Sequence, residues 1–229
     1  MHMLQSLSAA ILVAVFVTGA APEAAFSQPR STDDTFTWSD RIPSEGRLVI
    51  RNNFGDVKVE TAKGNEVQVR AVKSWESSDP SAVSVTVTRF GPDAKNVLIC
   101  GVWKPETLAC EEGSYAVNNM GGTDSRIDFI VSVPRNLEVH AESINGTVII
   151  KGLTGDVTGS TVNGDVIVGI EDNPNADIRV SSVNGRFTSD FPLNSQRVVR
   201  RGASRVRLGN GGRSIRFQTV NGSMRLVKL

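Results

Sequence analysis

The sequence predicts an all-β protein, built as a β-solenoid or β-roll-like stack of short strands with Asn-Gly turns and about 19 residues per coil. Three observations support this prediction. Apolar and polar residues alternate along short segments from Arg47 onward, an Asn-Gly unit recurs through the second half, and no segment beyond the N-terminal region shows helical periodicity.

The first half of the chain contains short segments in which every second residue is apolar, the pattern of half-buried strands. Turn-forming residues at Asn52–Gly55 and Lys63–Asn65 separate the earliest of them. Pro134 ends the last one. The predicted strands are residues 48–50, 57–60, 67–70, 83–88, 96–100 and 127–133.

The second half repeats a four-residue unit, a hydroxyl residue followed by Ile or Val and then Asn-Gly. Its glycines are 18, 21 and 37 residues apart, and Gly202 divides the last interval into steps of 17 and 20. Alternating residues follow each glycine, and most units contain a second turn and strand. The four units are Ser143–Gly146, Thr161–Gly164, Ser182–Gly185 and Thr219–Gly222.

Asn and Gly tolerate positive φ, so each Asn-Gly pair is predicted to form a tight turn. The preceding apolar residues are predicted to stack as a buried ladder, and the Asn side chains to hydrogen-bond from one coil to the next. A row of Asn residues that binds a ligand is the alternative. The predicted ladder consists of Ile144, Val162, Val183 and Val220.

The N-terminal region predicts export. Leu7–Ala21 is an apolar run of 15 residues, and Ala25–Ser27 offers small residues for cleavage. Residues 1–27 are therefore predicted to be a signal peptide, with a retained membrane anchor as the alternative, and no later segment is apolar enough to span a bilayer. Residues 28–40 are predicted to be a flexible leader. The β-repeat domain is expected at residues 41–229, more regular from about residue 136.

The chain has two cysteines, Cys100 and Cys110, and an exported protein with an even number of cysteines favours a disulfide. Gly101 and Pro105 lie between them and allow the chain to turn back. A structural disulfide is the prediction, and a reactive thiol pair is the alternative.

Several of these motifs together resemble the bacterial "putative adhesin" β-strand-repeat family, a domain of unknown function. The resemblance covers roughly residues 40–229 and implies an envelope-associated, β-helix-like fold without established catalytic residues. It depends on Asn53–Val59, on the recurrent Val-Asn-Gly-Asp-Val and on the closing segments Arg207–Gly212 and Asn221–Met224.

The sequence lacks the patterns of common catalytic and metal sites. Its histidines are His2 and His140, no nucleophile motif accompanies them, and His140 is predicted to be an exposed strand residue. Asp156 and Asp165 are nine residues apart, as in calcium-binding rolls, but the glycines before them do not complete that pattern. They are predicted to cap turns, with calcium binding as the alternative. No catalytic residue, cofactor or metal site is predicted.

Charge is distributed unevenly along the chain. Residues 1–190 contain 16 Lys and Arg and 24 Asp and Glu, whereas residues 191–229 contain nine Lys and Arg and no acidic residue. Outside the cytoplasm such a segment fits anionic lipids or glycans rather than nucleic acid. The candidate anion-binding patch is Arg200, Arg201, Arg205 and Arg207, and the alternative is a solvated strand face.

Taken together, these features predict an exported cell-envelope protein that is not an enzyme and acts in binding, adhesion or structure. Its expected partner is an anionic envelope glycan, a lipid or a surface protein. The alternative is a periplasmic carbohydrate-active enzyme on a β-helix scaffold, which would require two or three carboxylates in one groove.

Overall fold

The computed structural model describes residues 35–76, 80–103, 110, 124–172, 174–193 and 200–229. Within these ranges it contains fourteen strands and two 3₁₀ turns, at Pro80–Ala82 and Pro92–Ala94, which confirms the all-β prediction. The strands are β1 (Thr35–Asp40), β2 (Arg47–Phe54), β3 (Val57–Thr61), β4 (Val67–Ser74), β5 (Val83–Phe90), β6 (Asn96–Trp103), β7 (Arg126–Val133), β8 (Glu138–Asn145), β9 (Val148–Lys151), β10 (Val157–Asn163), β11 (Val166–Ile170), β12 (Ala176–Ser189), β13 (Arg200–Leu208) and β14 (Arg213–Lys228).

All fourteen described strands belong to one sheet, in which twelve follow the order β1-β4-β7-β3-β9-β11-β14-β10-β8-β2-β6-β5. Pairs in the middle of this path are parallel, and pairs toward its two ends are antiparallel. β12 pairs with β14 outside the path, and β13 pairs with β12. The sheet curls around one main hydrophobic core as a nearly closed twelve-stranded barrel.

The predicted β-solenoid or β-roll-like stack of coils is therefore wrong. Successive coils of a solenoid stack in chain order, whereas β14 lies between β10 and β12 and extends along both β10 and β11. The segment after Gly202, expected to be a coil of its own, is β13, which runs antiparallel to β12. The order of the strands in space thus differs from their order along the chain.

The core forms because alternate residues of the strands face inward. In β7, for example, Ile127, Phe129, Val131 and Val133 are buried and the residues between them are more exposed. The largest core side chains include Phe36 and Phe217, which come from the first and the last strand. A single core therefore connects the two ends of the described chain.

The predicted apolar ladder is also wrong, because these strands have the opposite face inward. Val162, Val183 and Val220 are 38%, 56% and 37% exposed, and Ile144 is half-buried. The hydroxyl residue before each of them is buried instead. We call these buried residues the hydroxyl row: Ser143, Thr161, Thr219 and Ser182.

Hydrogen bonds to glycine carbonyls allow the hydroxyl row to be buried, since a buried polar group needs a partner. Ser143 Oγ donates to the carbonyl of Gly55 at 2.9 Å, and Thr161 Oγ1 donates to that of Gly146 at 2.9 Å. Thr219 Oγ1 continues the series on β14, at 3.3 Å from the carbonyl of Gly164. The series stops at β12, where Ser182 Oγ is buried without a hydrogen-bond partner among the described residues.

The Asn side chains form the predicted hydrogen-bonded row. Asn163 Nδ2 donates to Asn145 Oδ1 at 2.9 Å, Asn221 Nδ2 to Asn163 Oδ1 at 2.8 Å, and Asn184 Nδ2 to Asn221 Oδ1 at 3.0 Å. The Asn-Gly pairs are less uniform than expected. Residues 145–146 and 163–164 bend the chain between strands, whereas 184–185 and 221–222 lie inside β12 and β14.

The glycines of these units permit neighbouring strands to approach closely. A Cβ added to Gly146 would lie 1.9 Å from the carbonyl oxygen of Gly55, and one added to Gly164 would lie 2.1 Å from that of Gly146. At Gly222 the corresponding distance to the carbonyl oxygen of Gly164 is 1.8 Å. Close contact, rather than turn formation alone, requires glycine at these positions.

The folded region begins before residue 41, the predicted domain boundary. Thr35–Asp40 forms β1, which pairs antiparallel with β4, so this part of the predicted flexible leader belongs to the sheet. The predicted signal peptide, residues 1–27, lies outside the described residues.

Candidate functional site

An arginine from each of three adjacent strands lies on the outer face of the sheet. Arg179 of β12 is the register partner of Arg205 on β13 and of Arg216 on β14. All three are exposed, because they alternate with buried residues along their strands. Adjacent strands are about 4.8 Å apart. We call this line of side chains the arginine row: Arg205, Arg179 and Arg216.

The carboxylate nearest to the arginine row in sequence, Asp177, already has other partners. It is the only acidic residue of β10, β12, β13 and β14. Its Oδ2 accepts the N–H of Gly212 at 3.1 Å, and its Oδ1 lies 3.0 Å from Arg207 Nε. The hydrogen bond from Gly212 lowers the pKa of Asp177 the most, and the hydrogen bond from Arg207 has the next largest effect. Across the described residues, no carboxylate forms an ion pair with the arginine row.

The arginine row lines a shallow depression of about 200 Å³. Ser181 and Gln218, on the same outer face, lie beside it. Guanidinium groups donate two hydrogen bonds in one plane, a geometry that matches carboxylate, phosphate and sulfate oxygens. The lining of the depression thus offers several donors and no carboxylate, and the charge of Asp177, outside the lining, also acts on Arg179.

The structure brings together only part of the predicted anion-binding patch. Arg205 belongs to the arginine row, whereas Arg207 is exposed but paired with Asp177. The backbones of Arg200 and Arg201 belong to β13, and their side chains lie outside the described part of the structure. Arg179 was missed because it precedes the basic C-terminal segment in sequence, and only strand pairing places it there.

His140, the remaining candidate for acid-base chemistry, is partly buried rather than exposed. Its Nε2 lies 2.9 Å from Glu138 Oε1. Burial lowers the pKa of His140, the charge of Glu138 opposes this effect, and the charge of Arg47 adds to it. The pair has an acid and a base but no nucleophile motif beside it in the sequence.

Asp156 and Asp165 accept backbone hydrogen bonds from β14, 58 residues away in the chain, so these bonds connect segments of the sheet and are not the local turn caps that the sequence predicted. Asp156 Oδ1 accepts the N–H of Ser214, and Asp165 Oδ1 that of Ser223, at 2.9 and 2.8 Å. Among the described residues, no group of three His, Cys, Asp or Glu side chains is arranged to hold a metal ion.

A carbohydrate-active enzyme would need carboxylates in a groove, and one depression contains two. It measures about 390 Å³, and Glu171 and Asp172 line it. Glu171 is paired with Arg135, and Asp172 Oδ1 lies 2.7 Å from Lys228 Nζ. Both carboxylates therefore already have a cationic partner.

Cys100 and Cys110 form a disulfide, with their Cα atoms 6.1 Å apart. Cys100 is fully buried in a small second core with Val49 and Leu98, on the outer side of β2 and β6. No helix in the described part of the chain is long and apolar enough to cross a membrane.

No family model and no curated protein matches the chain. Two solved structures align with it. One, described as a "putative cell adhesion protein" from Clostridium sporogenes ATCC 15579, is 9% identical, with a TM-score of 0.48 over 85% of this chain and 100% of that one. The other, a "putative adhesin" from Bacteroides fragilis NCTC 9343, is 12% identical, with a TM-score of 0.23 over 85% of this chain and 97% of that one. At these values the alignments assign no role to any residue of the site.

Proposed function

We propose that the protein is an exported, non-enzymatic binding module of the cell envelope, and that it attaches to an anionic surface through the arginine row. The observation that carries this proposal is the register of Arg205, Arg179 and Arg216, which places three exposed guanidinium groups side by side. The Cys100–Cys110 disulfide supports export, because such bonds persist in oxidising compartments.

Three aligned cations bind an anionic surface more strongly than isolated ones, because their fields add and the surface offers many anions. Each basic residue near an anionic membrane contributes about 1 kcal/mol, and salt screens this attraction. Arg207 contributes less, since Asp177 neutralises much of its charge. The arginine row, rather than the whole basic segment, is therefore the proposed contact.

Vesicle binding tests the proposal. The parent protein should bind vesicles rich in phosphatidylglycerol, bind neutral vesicles weakly, and lose affinity between about 50 and about 300 mM NaCl. The variant Arg179→Gln/Arg205→Gln/Arg216→Gln should bind anionic vesicles about tenfold or more weakly.

A matched variant, Arg41→Gln/Lys63→Gln/Lys95→Gln, removes the same charge elsewhere and should retain most of the binding. Equal losses in the two triple variants would show that net charge, and not the arginine row, attracts the surface. Salt-insensitive binding by the parent would contradict the proposal as well. A soluble acidic polysaccharide, measured in the same way, extends the test to glycans.

A further inference from the structure

Three exposed valines lie side by side on the same outer face. On each of β10, β14 and β12, a hydroxyl residue precedes the valine and an Asn follows it, and these flanking residues are register partners from strand to strand. The valines between them therefore occupy the same register position. Val162, Val220 and Val183 are 38%, 37% and 56% exposed. We call these three residues the valine row. Half-buried Ile144 continues it on β8.

The valine row and the arginine row belong to one surface. Along β12, Arg179 and Val183 are four residues apart, and along β14, Arg216 and Val220 are as well. Residues separated by an even number point to the same side of a strand, and four residues span about 13 Å. Ser181 and Gln218 lie between the two rows. The face is thus cationic along one line and apolar along a second, parallel line.

We infer that this face binds an anionic lipid, with the phosphate or carboxylate of the headgroup on the arginine row and the apolar part of the lipid on the valine row. This inference rests on the proposed function and specifies its ligand. An acidic glycan would satisfy the arginines but would leave the valines exposed to water. An anionic amphiphile satisfies both lines, because burying the valines removes apolar surface from water.

The charge of the face also selects against a second copy of the chain. Two copies meeting through this surface would place six arginines in one interface, where like charges repel. A lipid surface has the opposite sign, since anionic headgroups give a membrane a negative surface potential. Within the described parts of β10, β12, β13 and β14, Asp177 is the sole acidic residue, and it is engaged with Arg207 and Gly212. β8, which carries Ile144, adds Glu138 and Glu142 on the same side, and these are paired with His140 and Arg51.

Two probes separate the lipid from other anions: vesicles of phosphatidylglycerol in phosphatidylcholine, and heparin as a soluble acidic polysaccharide without an apolar part. The variant Val162→Ser/Val183→Ser/Val220→Ser should bind the vesicles about tenfold more weakly, because less apolar surface is buried. Its affinity for heparin should stay within about twofold of the parent's, since the arginines are unchanged. Ile130→Ser/Leu229→Ser removes exposed apolar side chains elsewhere, which are 44% and 52% exposed, and should leave both affinities unchanged.

Each outcome has a distinct meaning. If the valine variant binds vesicles as the parent does, the lipid inference is wrong and the proposed function stands. If the parent binds heparin but no vesicles, the lipid inference is wrong and the proposed function stands only for an acidic glycan surface. If the parent binds neither probe, both fail. Val183→Trp provides a readout that does not require the triple variant: brominated acyl chains should quench its fluorescence more than that of the parent. Equal quenching would overturn the inference.

Discussion

Asp40 Oδ2 lies 2.5 Å from Arg89 Nη2, and this ion pair connects β1 to β5, the strands at the two ends of the sheet path. Arg89 also donates to the backbone carbonyls of Ala94 at 3.1 Å and Arg41 at 3.2 Å. Burial raises the pKa of Asp40, but the hydrogen bonds from Arg89 and the Arg41 N–H, together with the charge of Arg89, lower it overall. The nearly closed sheet is thus joined by an ion pair where backbone pairing ends.

Asp40→Asn should lower the free energy of unfolding by less than about 1 kcal/mol near neutral pH, since both partners are partly exposed. A lowered folded-state pKa means that this stabilisation is present above the unfolded-state pKa, about 3.9 for Asp, and is lost as the pH falls through the folded-state value. Urea unfolding of parent and variant at about pH 7 and about pH 3 measures it. The difference should shrink at the lower pH, and an undiminished difference would contradict this role of Asp40.

The hydroxyl row provides a comparison within one set of residues. Ser143→Ala should cost about 1–2 kcal/mol, because the buried Gly55 carbonyl loses the hydroxyl that donates to it. Ser182→Ala should be neutral or stabilising, since Ser182 Oγ is buried without a hydrogen-bond partner in the described structure. Chemical denaturation of both variants checks the two expectations. A larger loss from Ser182→Ala than from Ser143→Ala would show that the hydrogen bonds do not explain the burial.

The alternation of residues predicted these strands but not which face points inward. In Thr161-Val162 and Ser182-Val183 the valine is the more apolar residue, so local hydrophobicity places it in the core. A strand has two faces, and a shift of one residue exchanges them. The hydroxyls of Ser143, Thr161 and Thr219 are buried because glycine carbonyls in bends between neighbouring strands accept their hydrogen bonds, and a single strand's sequence does not contain that partner.

Strand order was unpredictable for a similar reason. Local pattern indicates where β10, β12 and β14 begin, whereas the pairing of residues 157–163 with 215–221 depends on contacts between distant segments. The same pairing brings Arg179 beside Arg216, which is why a count of charges along the chain located only part of the arginine row. By contrast, the Cys100–Cys110 disulfide joins residues ten apart and could be inferred locally.

The glycine contacts predict strongly position-dependent effects of alanine. Gly146→Ala should destabilise the fold by about 3 kcal/mol or more, because its Cβ would overlap the backbone oxygen of Gly55 at 1.9 Å. Gly64→Ala is the matched control: no atom lies within 4 Å of the added Cβ, so its effect should stay within about 0.5 kcal/mol. Thermal and urea unfolding distinguish the two. Similar stabilities for both variants would contradict the close approach of the strands.

Reduction should weaken the fold through the Cys100–Cys110 disulfide. Closing this short loop should contribute about 2–3 kcal/mol, chiefly by restricting the unfolded chain. Unfolding with and without a reductant measures the contribution, and Cys100→Ala/Cys110→Ala should make stability independent of the reductant. Thiol titration of the unfolded, non-reduced protein should find no free sulfhydryl. Two titratable thiols in freshly isolated protein would show that the bond does not form there.

His140 should make the fold less stable in mild acid. Burial lowers its pKa, so the unfolded chain binds a proton more readily than the folded one, and stability falls as the pH decreases through the unfolded-state value of about 6.5. His140→Gln should remove this loss, so that the stabilities of parent and variant diverge between about pH 7 and about pH 5.

Glu138→Gln should instead make the loss of stability in acid larger, because the charge of Glu138 raises the pKa of His140 and its removal increases the penalty for protonation. Unfolding midpoints across this range, together with the ring proton shifts of His140, measure both effects. A His140 that titrates above about 6.5, or a Glu138→Gln variant with a weaker pH dependence than the parent, would show that the carboxylate and not burial controls this histidine.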